Sequence, residues 1–139
     1  MEDNTESRNK LQETAMQIMY GFLIKQQIGE AIDVEKEISE VCEKPYAECD
    51  LFLKEMIIKS LKNEQEIITL ISNHLNKWRF DRLNTCIQAI LVLAVTSYLY
   101  CDNKEKAIII NVAVKLAKKY GEKDDYKFVN AVLDNSLND

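Results

Sequence analysis

Cysteine and histidine are the residue types in this sequence best suited to bind a metal ion or to act in nucleophilic catalysis. The chain has four cysteines, Cys42, Cys49, Cys86 and Cys101, and a single histidine, His74. No two cysteines form a Cys-x-x-Cys pair and His74 is close to none of them in sequence, so the spacing typical of a zinc site is absent. No nucleophile–base pair, phosphate-binding loop or carboxylate dyad is recognisable either. We therefore expect no metal, no cofactor and no enzymatic activity.

Basic and aromatic residues near the two ends of the chain are the other candidates, and their chemistry is that of nucleic-acid binding. Arg8 and Lys10 lie near the start of the first predicted helix, just before its apolar stripe. A positive charge there opposes the helix dipole, so we expect a requirement other than helix stability to place these residues there. Single-stranded RNA needs cations for its phosphates and aromatic faces for its bases. The C-terminal part offers a matching set: Lys119, Tyr120, Lys127 and Phe128. The alternatives are that the cations are solvated and that Phe128, by its helical spacing, is a core residue.

The charge distribution limits how strongly the chain can bind nucleic acid. The net charge is −5, but residues 1–50 hold twelve of the 23 acidic residues and only five of the 18 basic ones. The remainder of the chain is therefore slightly basic, which allows a modest basic face. With 139 residues, 47% hydrophobic content, three glycines and one proline, the composition favours one all-α domain over residues 1–139.

The stretch from Leu83 to Cys101 has no charged residue, although 29% of the chain is charged. Its length would admit a membrane span, but polar residues such as Asn84, Gln88 and Thr96 could not be satisfied in hydrocarbon. A helix that is apolar on nearly all sides is then expected to be the buried axis of a helical domain. The polar N-terminus lacks a signal peptide, so we expect a cytoplasmic protein.

Amphipathic stretches on both sides of this helix predict about seven helices in all. Leu11, Ala15, Ile18 and Phe22 form one stripe, which Tyr20 and Leu23 widen. Further inward positions are Val34, Ile38 and Val41, then Leu51, Phe52, Met56, Ile57 and Leu61 in a helix from Tyr46, and Ile67, Ile68, Ile71 and Leu75 in a helix that ends near Trp78. The inward residues predicted for a helix from Lys104 to Tyr120 are Ala107, Ile108, Ile110, Val114, Leu116 and Ala117, and those of the last helix are Phe128, Val129, Val132 and Leu133.

Cap residues mark several helix ends. Asp33 is predicted to cap the start of the second helix, and Asp102 or Asn103 the start of the sixth. Gly121 is predicted to follow the last residue of the sixth helix. Trp78 is interpreted as a lid on the helix junction, and Asn111, among apolar neighbours, as bonding to nearby backbone.

The ordered motifs resemble the NusB family of bacterial transcription antitermination factors. The first helix carries Ala15, Gln17 and Tyr20, the family's A-x-Q-x-x-Y. The C-terminal half matches in the spacing of Trp78, Arg82-Leu83, Ile110-Asn111-x-Ala113-Val114 and Lys127-Phe-Val-Asn-Ala-Val-Leu-Asp134. Residues 30–60 match least.

This resemblance implies an all-α fold of seven helices in two small bundles around a buried central helix. It also implies a non-catalytic adaptor that pairs with the small-subunit ribosomal protein NusE and binds boxA-type single-stranded RNA within an RNA polymerase antitermination complex. Arg8, Lys10, Gln12, Lys119, Tyr120, Lys127 and Phe128 would then contact RNA, and Tyr20 and Asp81 would contact NusE.

Several positions depart from the family pattern. The arginine-rich start is reduced to Arg8 and Lys10, Gln12 replaces a frequent arginine, and Val92 stands where arginine is usual in the central helix. Fewer cations mean fewer phosphate contacts. The alternative function is therefore a helical interaction module that retains NusE docking and has lost specific RNA binding.

Overall fold

The computed structural model describes residues 4–101 and 105–137, with side chains from Arg8 onward. Within these residues the chain forms seven α-helices, two short 3₁₀ turns (Tyr46–Glu48 and Phe80–Arg82) and no strand. The helices are α1 (Asn4–Gln27), α2 (Val34–Cys42), α3 (Leu51–Lys62), α4 (Glu64–Ser72), α5 (Thr85–Tyr100), α6 (Lys106–Tyr120) and α7 (Asp125–Ser136). The predicted all-α architecture of seven helices is confirmed.

Helix α5 is the axis of the fold. All eleven residues from Ile87 to Ser97 are buried, because α5 packs on α1, α3, α4, α6 and α7. Helix α1 also packs on α2 and α3, and α6 packs on α7, so two groups of helices meet at α5. The uncharged stretch is thus a buried core helix, and no helix in the described part of the chain is long and apolar enough to cross a membrane.

Short polar side chains begin three of the helices. Asp33, Asp50 and Asn84 each accept a hydrogen bond from a backbone N–H two or three residues further on, at 2.7–3.2 Å. Such N-caps satisfy donors that the first helical turn leaves without a partner. The cap at Asp33 was predicted. The candidates Asp102 and Asn103 for α6 lie outside the described residues, and α6 begins at Lys106 after Glu105.

Two glycines meet different backbone requirements. Gly29, after α1, has φ of 76°, a left-handed conformation that costs glycine little. Gly121, after α6, is extended, with φ of −91°. A Cβ atom there would lie 2.7 Å from the Ala117 carbonyl oxygen and 2.9 Å from the Asp125 carboxylate, so Gly121 permits a close approach between the end of α6 and the start of α7.

The predicted inward face of α6 was wrong in part. The buried residues are Ile109, Ala113 and Ala117, spaced four apart, whereas Ala107 is exposed and Ile108 is 51% exposed. Residues 107–110 are all apolar, so the sequence pattern does not show which of them faces the core. The small side chains at 113 and 117 let α6 lie close to its neighbours.

Three other predictions near helix ends were also wrong. Leu51, expected inside, is 79% exposed, because α3 begins there after the Asp50 cap and not at Tyr46. Val41 is exposed in the last turn of α2, and α4 ends at Ser72, well before Trp78. The remaining inward residues of α3 and α4 that are fully buried are Met56, Ile57, Ile67 and Ile71, as expected.

Candidate nucleic-acid and partner interface

A carboxylate on α1 joins the first helix to the end of α6. The Lys119 Nζ atom donates to Glu13 Oε2 at 2.6 Å, and the Tyr120 hydroxyl donates to the same oxygen. Gln17, one turn after Glu13, donates through Nε2 to the Tyr120 oxygen at 3.3 Å. Two predicted RNA-contact residues, Lys119 and Tyr120, are therefore held against α1 by Glu13 and Gln17.

This junction shifts the protonation of both charged partners. The hydrogen bond from Lys119, followed by that from Tyr120, lowers the pKa of Glu13 below its usual value of 4.5. The same bond to Glu13 raises the pKa of Lys119 above 10.5. Both groups are thus charged at neutral pH, and the Lys119 cation is already paired before any phosphate arrives.

Tyr20 and Tyr120 line one groove. Tyr20 is 43% exposed, so it does not widen the buried stripe of α1 as predicted. The groove has a volume of about 400 Å³, and its other lining residues are Met16, Gln17, Asn84 and Cys86. The predicted NusE contact, Tyr20, and the predicted RNA contact, Tyr120, are thereby placed on one surface. Burial, with a smaller contribution from Asp125, raises the pKa of the Cys86 thiol, so this cysteine is a weak nucleophile.

Phe128 and Trp78 line a second groove, of about 310 Å³, between the start of α5 and the start of α7. Their ring centroids are 6.5 Å apart at 77°, an edge-to-face contact. Trp78 is 57% exposed and lies beside the half-buried Phe128, so part of the Trp78 side chain is open to solvent. Asn84 lines both grooves, which therefore meet at the N-terminus of α5.

The remaining predicted residues lie elsewhere. Arg8 stacks on the Phe52 ring of α3, with its guanidinium carbon 3.7 Å from the ring centroid. Lys10 is exposed on α1, and the exposed Asp81 forms an ion pair with Arg79 at 2.8 Å. Lys127 is exposed on α7, 3.6 Å from Asp124.

Gln12 is turned toward the interior. It lines a small cavity of about 30 Å³ between α1, α3, α5 and α6, and its buried Oε1 atom has no hydrogen-bond partner among the residues that the structure describes. Its predicted contact with RNA stays a prediction, but the amide oxygen does not face the surface.

The first and last helices share α5 as a packing partner and otherwise pack mainly on different helices. Helix α1 packs on α2, α3 and α5, whereas α7 packs on α4, α5 and α6. The two ends of the candidate surface are connected instead through Glu13 and the C-terminal turn of α6. No sequence signal links Glu13 to Lys119, because 106 residues separate them. Of the two α1 side chains that contact the end of α6, only Gln17 is marked in the sequence, because it belongs to the A-x-Q-x-x-Y motif.

No group of His, Cys, Asp and Glu side chains within residues 4–101 and 105–137 is arranged to hold a metal ion. The arrangement offers aromatic faces, amides and a few cations. These groups can stack on, hydrogen-bond to and pair with a ligand.

Comparison with known proteins gives consistent results. A sequence model described as the NusB family matches residues 9–138. A transcription antitermination protein NusB of Macrococcus caseolyticus is 37% identical over 91% of this chain and 93% of its own length. Another, from Treponema denticola, is 44% identical over 63% of this chain, and the match spans 65% of the Treponema protein, just under two thirds.

Solved structures share the fold. A NusB structure from T. maritima is 25% identical and superimposes with a TM-score of 0.79 over 94% of this chain and 89% of its own. A chain from a crystal structure of the antitermination factors NusB and NusE in complex with double-stranded RNA, at 24% identity, has a TM-score of 0.78 over 94% and 95% of the two chains. From the family match, the relatives and the seven-helix fold, the chain belongs to the NusB family.

Proposed function

We propose that this chain is a transcription antitermination factor of the NusB type. It acts in the cytoplasm as a single, non-catalytic domain over residues 1–139, pairs with NusE and binds boxA-type single-stranded RNA on ribosomal transcripts within an RNA polymerase antitermination complex. The observation that carries the proposal is the pair of connected grooves around Asn84, which present four aromatic side chains, Tyr20, Tyr120, Trp78 and Phe128, on one continuous surface.

Unpaired bases suit such a surface because every base has a stacking face, and one stacked base contributes about 1–3 kcal/mol. The half-buried Phe128 and the exposed Trp78 offer this contact. Tyr20 suits a protein partner, since an exposed tyrosine in an apolar groove gives large contact area and one hydrogen-bonding group. The relatives named transcription antitermination protein NusB, and the related chain crystallised with NusE and RNA, support assigning the two surfaces in this way.

A second candidate function is an interaction module that docks NusE and binds no specific RNA. The observation that favours it is an ion pair within the protein, between Lys119 and Glu13. A cation that is already paired contributes less to phosphate binding.

Calorimetry and fluorescence anisotropy separate the two functions. The intact protein, with and without NusE, is titrated with boxA RNA and with a scrambled RNA of the same composition. The adaptor predicts tighter binding to boxA in the presence of NusE. The interaction module predicts a NusE complex with no preference for boxA, and no association with NusE at high micromolar concentration would refute both.

Variants locate the two surfaces. Tyr20→Ala should weaken NusE binding, whereas Ile28→Ala, at an exposed position just after the same helix, should not. Phe128→Ala should weaken RNA binding by about 5- to 150-fold, with circular dichroism used to verify folding. Equal NusE binding by the Tyr20→Ala and Ile28→Ala variants would exclude Tyr20 from the interface.

A further inference from the structure

Helix α6 has an unusual charge for this protein. It carries four lysines, Lys106, Lys115, Lys118 and Lys119, and no acidic residue, although the chain as a whole has a net charge of −5. Lys119 is held by Glu13 on one side of the helix. The other side faces α7 across an open groove of about 770 Å³, of whose lining residues only Lys127 is among the RNA contacts predicted from the sequence.

One end of this α6–α7 groove combines an aromatic ring with two cations. The Lys118 Nζ atom lies 4.7 Å from the Tyr126 ring centroid, and the Lys127 Nζ atom lies 6.0 Å from the same centroid. Tyr126 and Lys127 line the groove, and Tyr126 is half-buried. A half-buried ring with two ammonium groups within 6.0 Å of its centroid combines a stacking surface with positive charge, which suits a flat ligand that carries negative charge.

Two amides lie in the same groove. Asn111 of α6 and Asn130 of α7 are both exposed lining residues. Neither side chain has an intramolecular hydrogen bond in the part of the chain that the structure describes, so the expectation that Asn111 bonds to nearby backbone was wrong. Each amide offers a donor and an acceptor side by side, the pattern that bidentate contacts with base edges require.

Nearby acidic groups do not neutralise Lys118 and Lys127 at the Tyr126 end of the groove. At the opposite end Asp134 pairs with Lys106 at 3.2 Å. Near Tyr126, Asp124 is 3.6 Å from Lys127, a contact between two well-exposed side chains that water and salt weaken. No acidic group contacts Lys118 within the described residues.

We infer that the α6–α7 groove is a second contact surface for single-stranded RNA. Tyr126 stacks on a base, Lys118 and Lys127 contact phosphates, and Asn111 and Asn130 contact base edges. The inference rests on the proposed RNA-binding function and extends it. Phe128 and Asp124 line the groove on one flank of α7, and Tyr126 and Lys127 line the α6–α7 groove on the other. A strand that crosses the first turn of α7 therefore reaches both.

Single-stranded RNA fits these residues better than a protein does. Lysines beside a tyrosine match a backbone of regular negative charge that carries planar bases, and exposed base edges are available only where the strand is unpaired. A protein partner that occupied the groove would need to satisfy two facing amides and offer acidic groups to two lysines.

The test measures binding of the full chain, in complex with NusE, to boxA RNA and to scrambled RNA. Lys118→Ala should weaken both RNAs alike and reduce the salt slope by about 0.7, whereas Lys36→Ala, at an exposed position of α2, should leave it unchanged. Tyr126→Ala should weaken binding by about 5- to 150-fold, and Tyr126→Phe, which keeps the ring and the fold, should bind like the natural protein.

The amides report on sequence preference. The double variant Asn111→Ala and Asn130→Ala should bind scrambled RNA normally and lose part of its preference for boxA, whereas Asn73→Ala, at an exposed site after α4, should keep it. In NMR spectra the side-chain amide signals of Asn111 and Asn130 should shift on addition of RNA to the complex.

Three outcomes overturn the inference in different ways. If the natural protein prefers boxA and Phe128→Ala weakens binding, while the groove variants bind normally and the amide signals stay in place, the groove is not an RNA surface but the proposed function stands. If the amide signals shift on addition of NusE and not of RNA, the groove is a protein surface. Absence of RNA binding by the natural complex would refute both proposals together.

Discussion

A buried hydrogen bond between α3 and α5 gives a sharp test of the core. Ser60 and Thr96 are both fully buried, and the Ser60 hydroxyl donates to Thr96 Oγ1 at 2.9 Å. The Thr96 hydroxyl in turn donates to the Val92 carbonyl oxygen at 2.7 Å. Ser60 therefore depends on Thr96 for an acceptor, whereas Thr96 keeps its own acceptor when Ser60 is removed.

This asymmetry predicts different costs for the two single substitutions. Thr96→Val keeps the shape of the side chain but leaves the Ser60 hydroxyl buried without its partner, which should cost about 1–3 kcal/mol. Ser60→Ala removes the donor and should cost about 0.5–1.5 kcal/mol. The double variant has no unsatisfied donor, so its cost should be less than the sum of the single costs, by about 1 kcal/mol or more.

Urea unfolding of the four proteins measures these differences, with equal slopes as the check that the unfolded states are comparable. Additive single costs would refute the reasoning. They would mean that the Ser60 hydroxyl turns to a backbone carbonyl of its own helix once Thr96 is removed, as serines in helices can do.

Two further predictions concern packing and charge. Leu91→Ala, at a fully buried site of α5, should destabilise the protein by about 2–5 kcal/mol through cavity formation. Leu99, on the same helix, is 48% exposed, so Leu99→Ala should change stability by about 0.5 kcal/mol or less. Equal losses of stability in thermal unfolding would contradict the central position of α5. Glu13→Gln should reduce stability most at pH values between 4.5 and 10.5, the ordinary pKa values of glutamate and lysine. Because the pKa of Glu13 is lowered in the folded protein, the stabilisation by this ion pair is lost as the pH falls through the folded-state pKa of Glu13. Because the pKa of Lys119 is raised, the stabilisation is also lost as the pH rises through the folded-state pKa of Lys119. A difference in the free energy of unfolding that does not change with pH would contradict this pairing.

The sequence predicted those features that depend on neighbours along the chain. The uncharged stretch identified α5, Asp33 identified a cap, and the stripe from Ala15 to Phe22 identified the buried face of α1. In each case the deciding interactions span a few residues, so periodicity and cap chemistry suffice.

Features decided by contacts between distant segments were missed. The apolar run 107–110 leaves the face of α6 open, and only packing against its neighbours selects Ile109. The pairing of Glu13 with Lys119, and the inward direction of Gln12, depend on where the fold places α6 relative to α1. The sequence therefore predicted which residues belong to the candidate site. How these residues are divided between separate grooves could be seen only in the folded structure.

The central place of α5 has a consequence for how the protein emerges from the ribosome. Helix α1 ends at Gln27, but α5 is complete only at Tyr100. At about 5–20 residues per second, synthesis of the intervening 73 residues takes roughly 4–15 s. During that time α1 and α3 can meet each other but lack the helix on which both pack. The apolar stripe of α1 then has to be shielded from aggregation during translation, and a pause in synthesis before residue 100 would lengthen its exposure.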